Sequence, residues 1–300
     1  MSRPPWTPDI VVGPELALEL VRSQFPALAA TEARPLGVGW DNTAHLVGDV
    51  VFRFPRRRST VPLLEREARL LPLLARMLPL PVPLPRWLGS PTPAYPWPFA
   101  GYRRLAGTPA SDVALKEAQL ADAAASLGRF LAALHALPAA ELDLPGDEIG
   151  RLDIAGRLPL ARARLAALVA AGLIEDAAPW LGPLSMPAPA LSATTVPVHG
   201  DLYARHLLAD ARGRLCGIID WGDLHRSDPA VDLSVLWSFL PASARPPFLR
   251  AYGAVDEGTL LLARQRATFH SVAVAHYASE AGDAPLLVAS LAALRHVLED

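Results

Sequence analysis

Residues 196–237 read VPVHGDLYARHLLADARGRLCGIIDWGDLHRSDPAVDLSVLW, a stretch that sets His199, Asp201, His206 and Asp220 around two short apolar runs. Val196-Pro197-Val198 leads into His199-Gly200-Asp201-Leu202, and Ile218-Ile219 leads into Asp220-Trp221-Gly222. Each carboxylate therefore stands at the end of a short strand, nineteen positions apart (220 − 201). Leu207-Leu208 and residues 214–219 can pair as a hairpin about Asp210-Ala211-Arg212-Gly213, which brings both carboxylates to the same end. Two carboxylates converging in this way suit phosphoryl transfer to a hydroxyl. One orients the attacking hydroxyl and accepts its proton, and the other holds Mg²⁺ on the phosphates. Either Asp alone would read equally as a surface turn residue; the two boxes together favour the chemical reading.

Such a site needs a frame, and the rest of the chain supplies strands first and helices after. Residues 14–24 place Leu16, Leu20 and Val21 at helical spacing. Across 33–55 the period changes: 44–47 and 50–54 are β-type runs joined by Gly48-Asp49, with a turn at Gly37, Gly39 and Asp41-Asn42 before them. Residues 63–78 return to helical spacing, with Pro72 as a kink or break. The proline-dense stretch 79–98 reads as extended loop with an edge strand, 99–105 as a strand and 106–109 as a loop. Helices follow at 116–137, where Leu120, Leu127, Phe130, Leu131, Leu134 and Leu137 share a face, and at 158–174. After a Pro/Ala/Ser-rich connection at 179–197 and the hairpin, two or three more helices span 245–298, broken near Gly282-Asp283. No repeat period is visible. Strands followed by helices argue for α+β with two lobes rather than a doubly wound sheet.

Composition bounds the partners. A chain of 300 residues with 51% hydrophobic and 19% charged residues can bury a sizeable core and is not compositionally disordered. The net charge of −2 offers no basic surface for nucleic acid. Cys216 is the only cysteine and lies in an apolar run, which reads as an inert thiol in a reducing compartment. The start, MSRPPWTPDIVVGPE, has no apolar stretch behind a basic end, and no run reaches the roughly 20 apolar residues of a membrane span. The expectation is a cytoplasmic protein without signal peptide or membrane contact. Lys116 is the only lysine in an Ala-, Pro- and Arg-rich chain, a coding bias that also explains an Arg standing where a Lys is expected.

The two boxes and the order of elements resemble the aminoglycoside phosphotransferase family, relatives of choline kinases and protein kinases. The resemblance covers nearly the whole chain and is strongest over residues 196–237. It implies a bilobal, protein-kinase-like α+β fold: a nucleotide-binding lobe over 1–102, a hinge over 103–107, and a helical lobe over 108–300 with the catalytic loop and acceptor site. It implies a small-molecule kinase that moves the γ-phosphate of ATP or GTP to a hydroxyl of a small-molecule acceptor. It implies Asp201 as base and Asp220 as the main Mg²⁺ ligand, the counterpart of the kinase D-F-G aspartate. Gly37-Val38-Gly39-Trp40-Asp41-Asn42 resembles the loop over the phosphates, although a plain hairpin would carry the same two glycines. Arg53 takes the place of the strand lysine on the α/β-phosphates, and Glu67 in EREARLL is its expected partner in preference to Glu65. The strand from Phe99 resembles the hinge, where the carbonyl of Arg103 and the N–H of Leu105 would bond adenine. Asp232 in PAVDLS resembles the aspartate that braces the catalytic loop, and His199 reads as a packed scaffold residue. His135, His225, His270 and His276 show no ligand spacing and are expected in core or surface roles.

Two functional positions depart from the family. The family has Asn five positions after the base as second metal ligand; here that position is His206. Mg²⁺ prefers oxygen, and imidazole suits Mn²⁺ or later metals better. His206 therefore has three readings: a metal ligand with altered preference, a phosphate contact, or the mark of weak nucleotide binding and little catalysis. Arg53 is the milder change, since Arg pairs bidentately with phosphate and stays charged. Retention of Asp201 and Asp220 favours an active kinase over a pseudokinase. A metal-dependent hydrolase would need further ligands at tight spacing, which the sequence lacks. Acceptor choice should lie in 139–195, where Asp143, Asp147, Glu148, Asp153, Glu175 and Asp176 are offset by Arg151, Arg157, Arg162 and Arg164. Trp180 and its apolar neighbours could line a site for a larger, less charged acceptor such as a macrolide, or simply pack.

Overall fold

A computed structural model describes residues 7–300; residues 1–6, part of the stretch read as lacking a signal sequence, lie outside the described residues. The chain divides into two compact units, one running to Met77 and resuming over Pro81–Leu105, the other holding Leu78–Leu80 and Ala106–Asp300.

In the first unit, α1 (Pro14–Gln24) starts on a proline, whose missing N–H is no loss in the first turn, and buries Ala17, Leu20 and Val21. There follow β1 (Arg34–Val38), β2 (Asn42–Val47), β3 (Val50–Pro55), α2 (Val61–Leu74), β4 (Pro85–Gly89) and β5 (Phe99–Arg103). They form one antiparallel sheet in the order β1-β2-β3-β5-β4. The β2–β3 hairpin closes on Gly48, whose φ of 62° suits a residue without a Cβ. The two-residue period of β3 sends Phe52 and Phe54 into a core with Val47, Val50, Tyr95 and Phe99, and turns Arg53 to the other face. Pro72 lies inside α2 without breaking it, and the helix ends two residues later at Leu74, earlier than the periodicity suggested. The proline-rich stretch does hold an edge strand, β4.

The second unit contains β6 (Thr108–Pro109), α3 (Glu117–His135), α4 (Ile154–Ala170), α5 (Ala178–Ser185), β7 (Val196–Val198), β8 (Leu207–Ala209), β9 (Leu215–Ile218) and β10 (His225–Ser227). Then come α6 (Ala230–Leu233), α7 (Val235–Ser238), α8 (Arg245–Tyr252), α9 (Glu257–Ala281) and α10 (Ala284–His296). Two small sheets, β6-β8-β9 and β10-β7, carry the loops of interest. Three expectations need correction. The 106–109 loop contains β6, which pairs with β8. The helix expected at 158–174 begins at Ile154, because the Asp153 side chain caps it by accepting from the Gly156 N–H at 2.9 Å. The Pro/Ala/Ser-rich connection folds in part into α5. α9 is the axis of the unit. Asp256 caps its start and Gly282, at φ 67°, ends it, and it packs against α4, α5, α6, α7 and α10. Among the described residues, no helix is long and apolar enough to cross a membrane.

Candidate active site

β7 delivers the chain into His199-Gly200-Asp201, and this loop is fixed by a carboxylate behind it. Asp232, fully buried on α6, accepts the N–H of His199 at 2.7 Å and of Gly200 at 2.9 Å, with His135 Nε2 3.3 Å from the same group. Burial pushes the Asp232 carboxyl up, but the His135 contact, the neighbouring histidines and the Gly200 N–H outweigh it and hold the group below the usual carboxylate range. Gly200 has a φ of 91°, and a Cβ there would lie 2.4 Å from the Asp223 carbonyl oxygen. Only glycine lets the two loops touch at this point.

Two buried arginines converge on the Gly200 carbonyl: Arg151 Nε at 3.2 Å and Arg266 Nη2 at 3.3 Å. Arg151 also donates to Asp147 at 2.8 Å and to Asp223 at 2.5 Å, so it ties the Asp201 loop to the loop after Asp220. The Asp201 side chain, 29% exposed, accepts from His270 Nε2 at 3.0 Å on Oδ1, and its Oδ2 lies 3.7 Å from His206 Nδ1. Burial would raise this carboxyl, but the His270 hydrogen bond and the proximity of His206, His270 and Arg266 hold it well below the ordinary range. Asp201 is thus held as an ionised carboxylate.

The β8–β9 hairpin brings the second carboxylate to the same place. The Ile219 N–H donates to the His206 carbonyl at 2.9 Å, His199 Nε2 lies 3.0 Å from the Ile219 carbonyl, and the buried Trp221 indole donates to the Ile218 carbonyl at 3.0 Å. This binding turns Asp220 out at a φ of 65°, a left-handed conformation that Asp tolerates and that concentrates at functional sites. His206 stands between the carboxylates. Its Nδ1 lies 2.7 Å from the Asp201 main-chain carbonyl and its Nε2 3.5 Å from Asp220 Oδ2. A carbonyl only accepts, so Nδ1 donates to it, and this leaves Nε2 directed at the Asp220 carboxylate. Nε2 without a proton and the Asp220 oxygen would together face a divalent cation. Among the described residues no group of three or more His, Cys, Asp or Glu side chains could hold a metal, so a cation here would take its other ligands from phosphate and water.

In the first unit, Arg53 Nη1 donates to Glu67 Oε1 at 2.8 Å and Oε2 at 3.0 Å, and Glu67 is only 1% exposed while Glu65 faces solvent. The Tyr102 hydroxyl lies 3.5 Å from the same carboxylate. The glycine loop is a tight β1–β2 turn. The Gly39 N–H donates to the Asn42 carbonyl at 2.9 Å, Arg56 donates to the Gly39 carbonyl at 2.5 Å, and Arg57 pairs with Asp41 at 2.5 Å. A Cβ on Gly37 would meet nothing within 4 Å. Arg103 closes β5 opposite Val50, and Leu105 is the last residue of this unit.

Among the charges of 139–195, Asp147, Arg151, Asp153, Arg157 and Asp176 have partners within the protein. Arg151 and Asp147 pair, Asp153 caps α4, and Asp176 accepts from the Ala178 N–H at 3.1 Å. Arg157 donates to the carbonyls of Gly150 and Ile149 and lies 5.0 Å over the Phe269 ring. Trp180 is packed in the interior: it is 8% exposed, and its indole donates to the Leu294 carbonyl at 2.7 Å. His270, expected in a core or surface role, contacts Asp201 directly; its signal was Arg266 one helical turn earlier, at the i,i+4 spacing that puts both on one face of α9.

A β-rich unit with a buried strand–helix ion pair, and a helical unit in which an H-G-D loop meets a D-W-G turn, define a protein-kinase-like phosphotransferase. The model of the phosphotransferase enzyme family APH matches residues 32–270. The chain belongs to this family and is of the small-molecule kinase class. It is 27% identical over 204 residues to the uncharacterized protein YcbJ of Bacillus subtilis (strain 168), a match over 61% of this chain and 60% of that protein. The chain thus spans about 60% of the length of that curated relative. The GDP and kanamycin complex of APH(2")-IIIa superposes with a TM-score of 0.65 at 26% identity, covering 93% of this chain and 97% of that one. Apo macrolide 2'-phosphotransferase MphH from Brachybacterium faecium gives a TM-score of 0.61 at 26% identity, covering 93% and 98%.

Proposed function

We propose that this protein transfers the γ-phosphate of ATP or GTP to a hydroxyl of a small molecule, with Asp201 as base and with Asp220 and His206 holding Mg²⁺ or Mn²⁺. The observation that carries this reading is the placement of His206 between two carboxylates, 3.7 Å from Asp201 and 3.5 Å from Asp220. Residues 1–102 form the nucleotide lobe, 103–107 the hinge with main-chain contacts at Arg103 and Leu105, and 108–300 the catalytic lobe. The protein works in the cytoplasm, where nucleotide is supplied and Cys216 stays a thiol.

Each group has a task that its surroundings support. Glu67 holds Arg53 in one geometry for the α/β-phosphates, and the turn at Gly37 and Gly39 leaves room for phosphate oxygens. Bound cation would neutralise charge on the phosphates and align them. Asp201 orients the acceptor hydroxyl; being a weak base, it receives the proton late, as the phosphoryl group moves, which suits a loose transition state. Asp232 and His199 keep the loop in register. Of the three readings of His206, the ring orientation favours the metal ligand, and the ordered carboxylates favour turnover over a nucleotide-binding remnant. GDP in the APH(2")-IIIa complex supports nucleotide binding. Kanamycin and a macrolide, the acceptors suggested by the two structural relatives, are the first to try. Thermal melting with ATP or GTP and either cation tests the reading: stabilisation by a cation–nucleotide pair is expected, and no shift with any of them would refute it.

A further inference from the structure

We propose that His270 is a positioning residue for Asp201: its Nε2–H holds Oδ1 and so fixes Oδ2 as the oxygen offered to the acceptor hydroxyl. The inference rests on Asp201 being the base. The Nε2–Oδ1 separation is 3.0 Å. The Asp201 carboxylate can only accept, so the imidazole proton resides on Nε2. Burial favours the neutral ring over the imidazolium, which makes this the Nε2–H tautomer.

The ring is held on its own side. Tyr203 sits edge-on to both histidines, with ring centroids 5.3 Å from His270 and 4.5 Å from His206. α9, the buried axis of the unit, presents a second donor one turn earlier: Arg266 donates to the Gly200 carbonyl at 3.3 Å. One helix thus grips two consecutive residues of the catalytic loop, the main chain at 200 and the carboxylate at 201. The grip is needed because the last torsion of Asp is broad and roughly two-fold. Without a donor on Oδ1 the carboxylate would rotate and exchange its oxygens, and the hydroxyl would meet a mobile acceptor. His206 cannot serve instead, since its Nδ1 proton is directed to the Asp201 carbonyl at 2.7 Å.

The test uses the full chain with His270→Leu, which removes the donor, and His270→Gln, which returns an N–H at similar reach. With Mg²⁺ and ATP or GTP, and with water or kanamycin as acceptor, kcat of the Leu variant is expected to fall about 10- to 100-fold while nucleotide KM stays within about twofold. The Gln variant is expected to recover most of kcat. ¹⁵N-histidine NMR of the unaltered protein should show His270 as the Nε2–H tautomer, in a signal that shifts in Asp201→Asn. If His270→Leu keeps kcat while Asp201→Ala loses it, the base reading stands and the role of His270 is overturned. If Asp201→Ala keeps kcat, the base reading itself fails. An Nδ1–H tautomer overturns the inference whether or not turnover is seen or the variants fold.

Discussion

Asp232→Ala tests the frame of the site. The carboxylate satisfies the N–H groups of His199 and Gly200 at 2.7 and 2.9 Å and lies 3.3 Å from His135 Nε2, all in the interior. Alanine leaves both amides without an acceptor in a place that neither has another hydrogen bond. A buried orphan donor costs about 1–3 kcal/mol, so the pair costs about 2–6 kcal/mol, the lower end applying if a water enters the space. At about 2–4 °C per kcal/mol for a chain approaching this size, the melting temperature of the second unit should drop by about 8–16 °C for a mid-range loss. The pH dependence carries a sign. The folded carboxyl lies below its unfolded value, so its contribution is present above that value, about 3.9, and is lost only as the pH falls through the folded one. The gap between wild type and variant should therefore be constant from neutrality to about pH 5 and close in stronger acid. Calorimetry over that range is the assay. A variant melting within about 2 °C of wild type at pH 7 would refute the assignment of Asp232 as the brace of the loop.

Gly200→Ala forces a Cβ to within 2.4 Å of the Asp223 carbonyl oxygen at a φ of 91°; it should lose turnover and at least about 2 kcal/mol of stability, read by denaturant unfolding. Glu67→Ala leaves Arg53 without the carboxylate that fixes it and should raise nucleotide KM about tenfold or more with less change in kcat, measured by initial rates. His206→Asn replaces a nitrogen ligand by oxygen and should shift the preferred cation from Mn²⁺ toward Mg²⁺ in activity titrations; an unchanged preference would place His206 off the metal.

What was legible in the sequence was local. The H-G-D and I-I-D-W-G boxes carry their own strand and turn, so the β8–β9 hairpin and bonds such as His206 Nδ1 to the Asp201 carbonyl bring Asp201, His206 and Asp220 together. Phe52, Arg53 and Phe54 announce the two faces of β3 through the two-residue period, and the helical face of α2 separates Glu67 from Glu65. What was missed spans long separations: His270 meets Asp201 across 69 residues, and Arg151 and Arg266 reach the Gly200 carbonyl across 49 and 66. No local pattern encodes such a meeting, because it depends on how α4 and α9 pack. The partners of Arg151, Asp153, Arg157 and Asp176 in 139–195 were illegible for the same reason, as they include main-chain groups and Asp223 beyond the segment. Trp180 shows that an aromatic in an Ala/Pro-rich segment can be a core residue when its N–H finds a carbonyl, here that of Leu294.

The central claim is that Asp201 serves phosphoryl transfer beside a cation held at Asp220 and His206. It is tested most directly by following the γ-phosphate of labelled ATP or GTP with Mg²⁺ or Mn²⁺, in wild type and Asp201→Ala, across hydroxyl acceptors that include kanamycin and a macrolide. The account predicts transfer by wild type and a loss of about 10²- to 10⁴-fold in the variant with nucleotide binding retained. Equal transfer by the two proteins would contradict it.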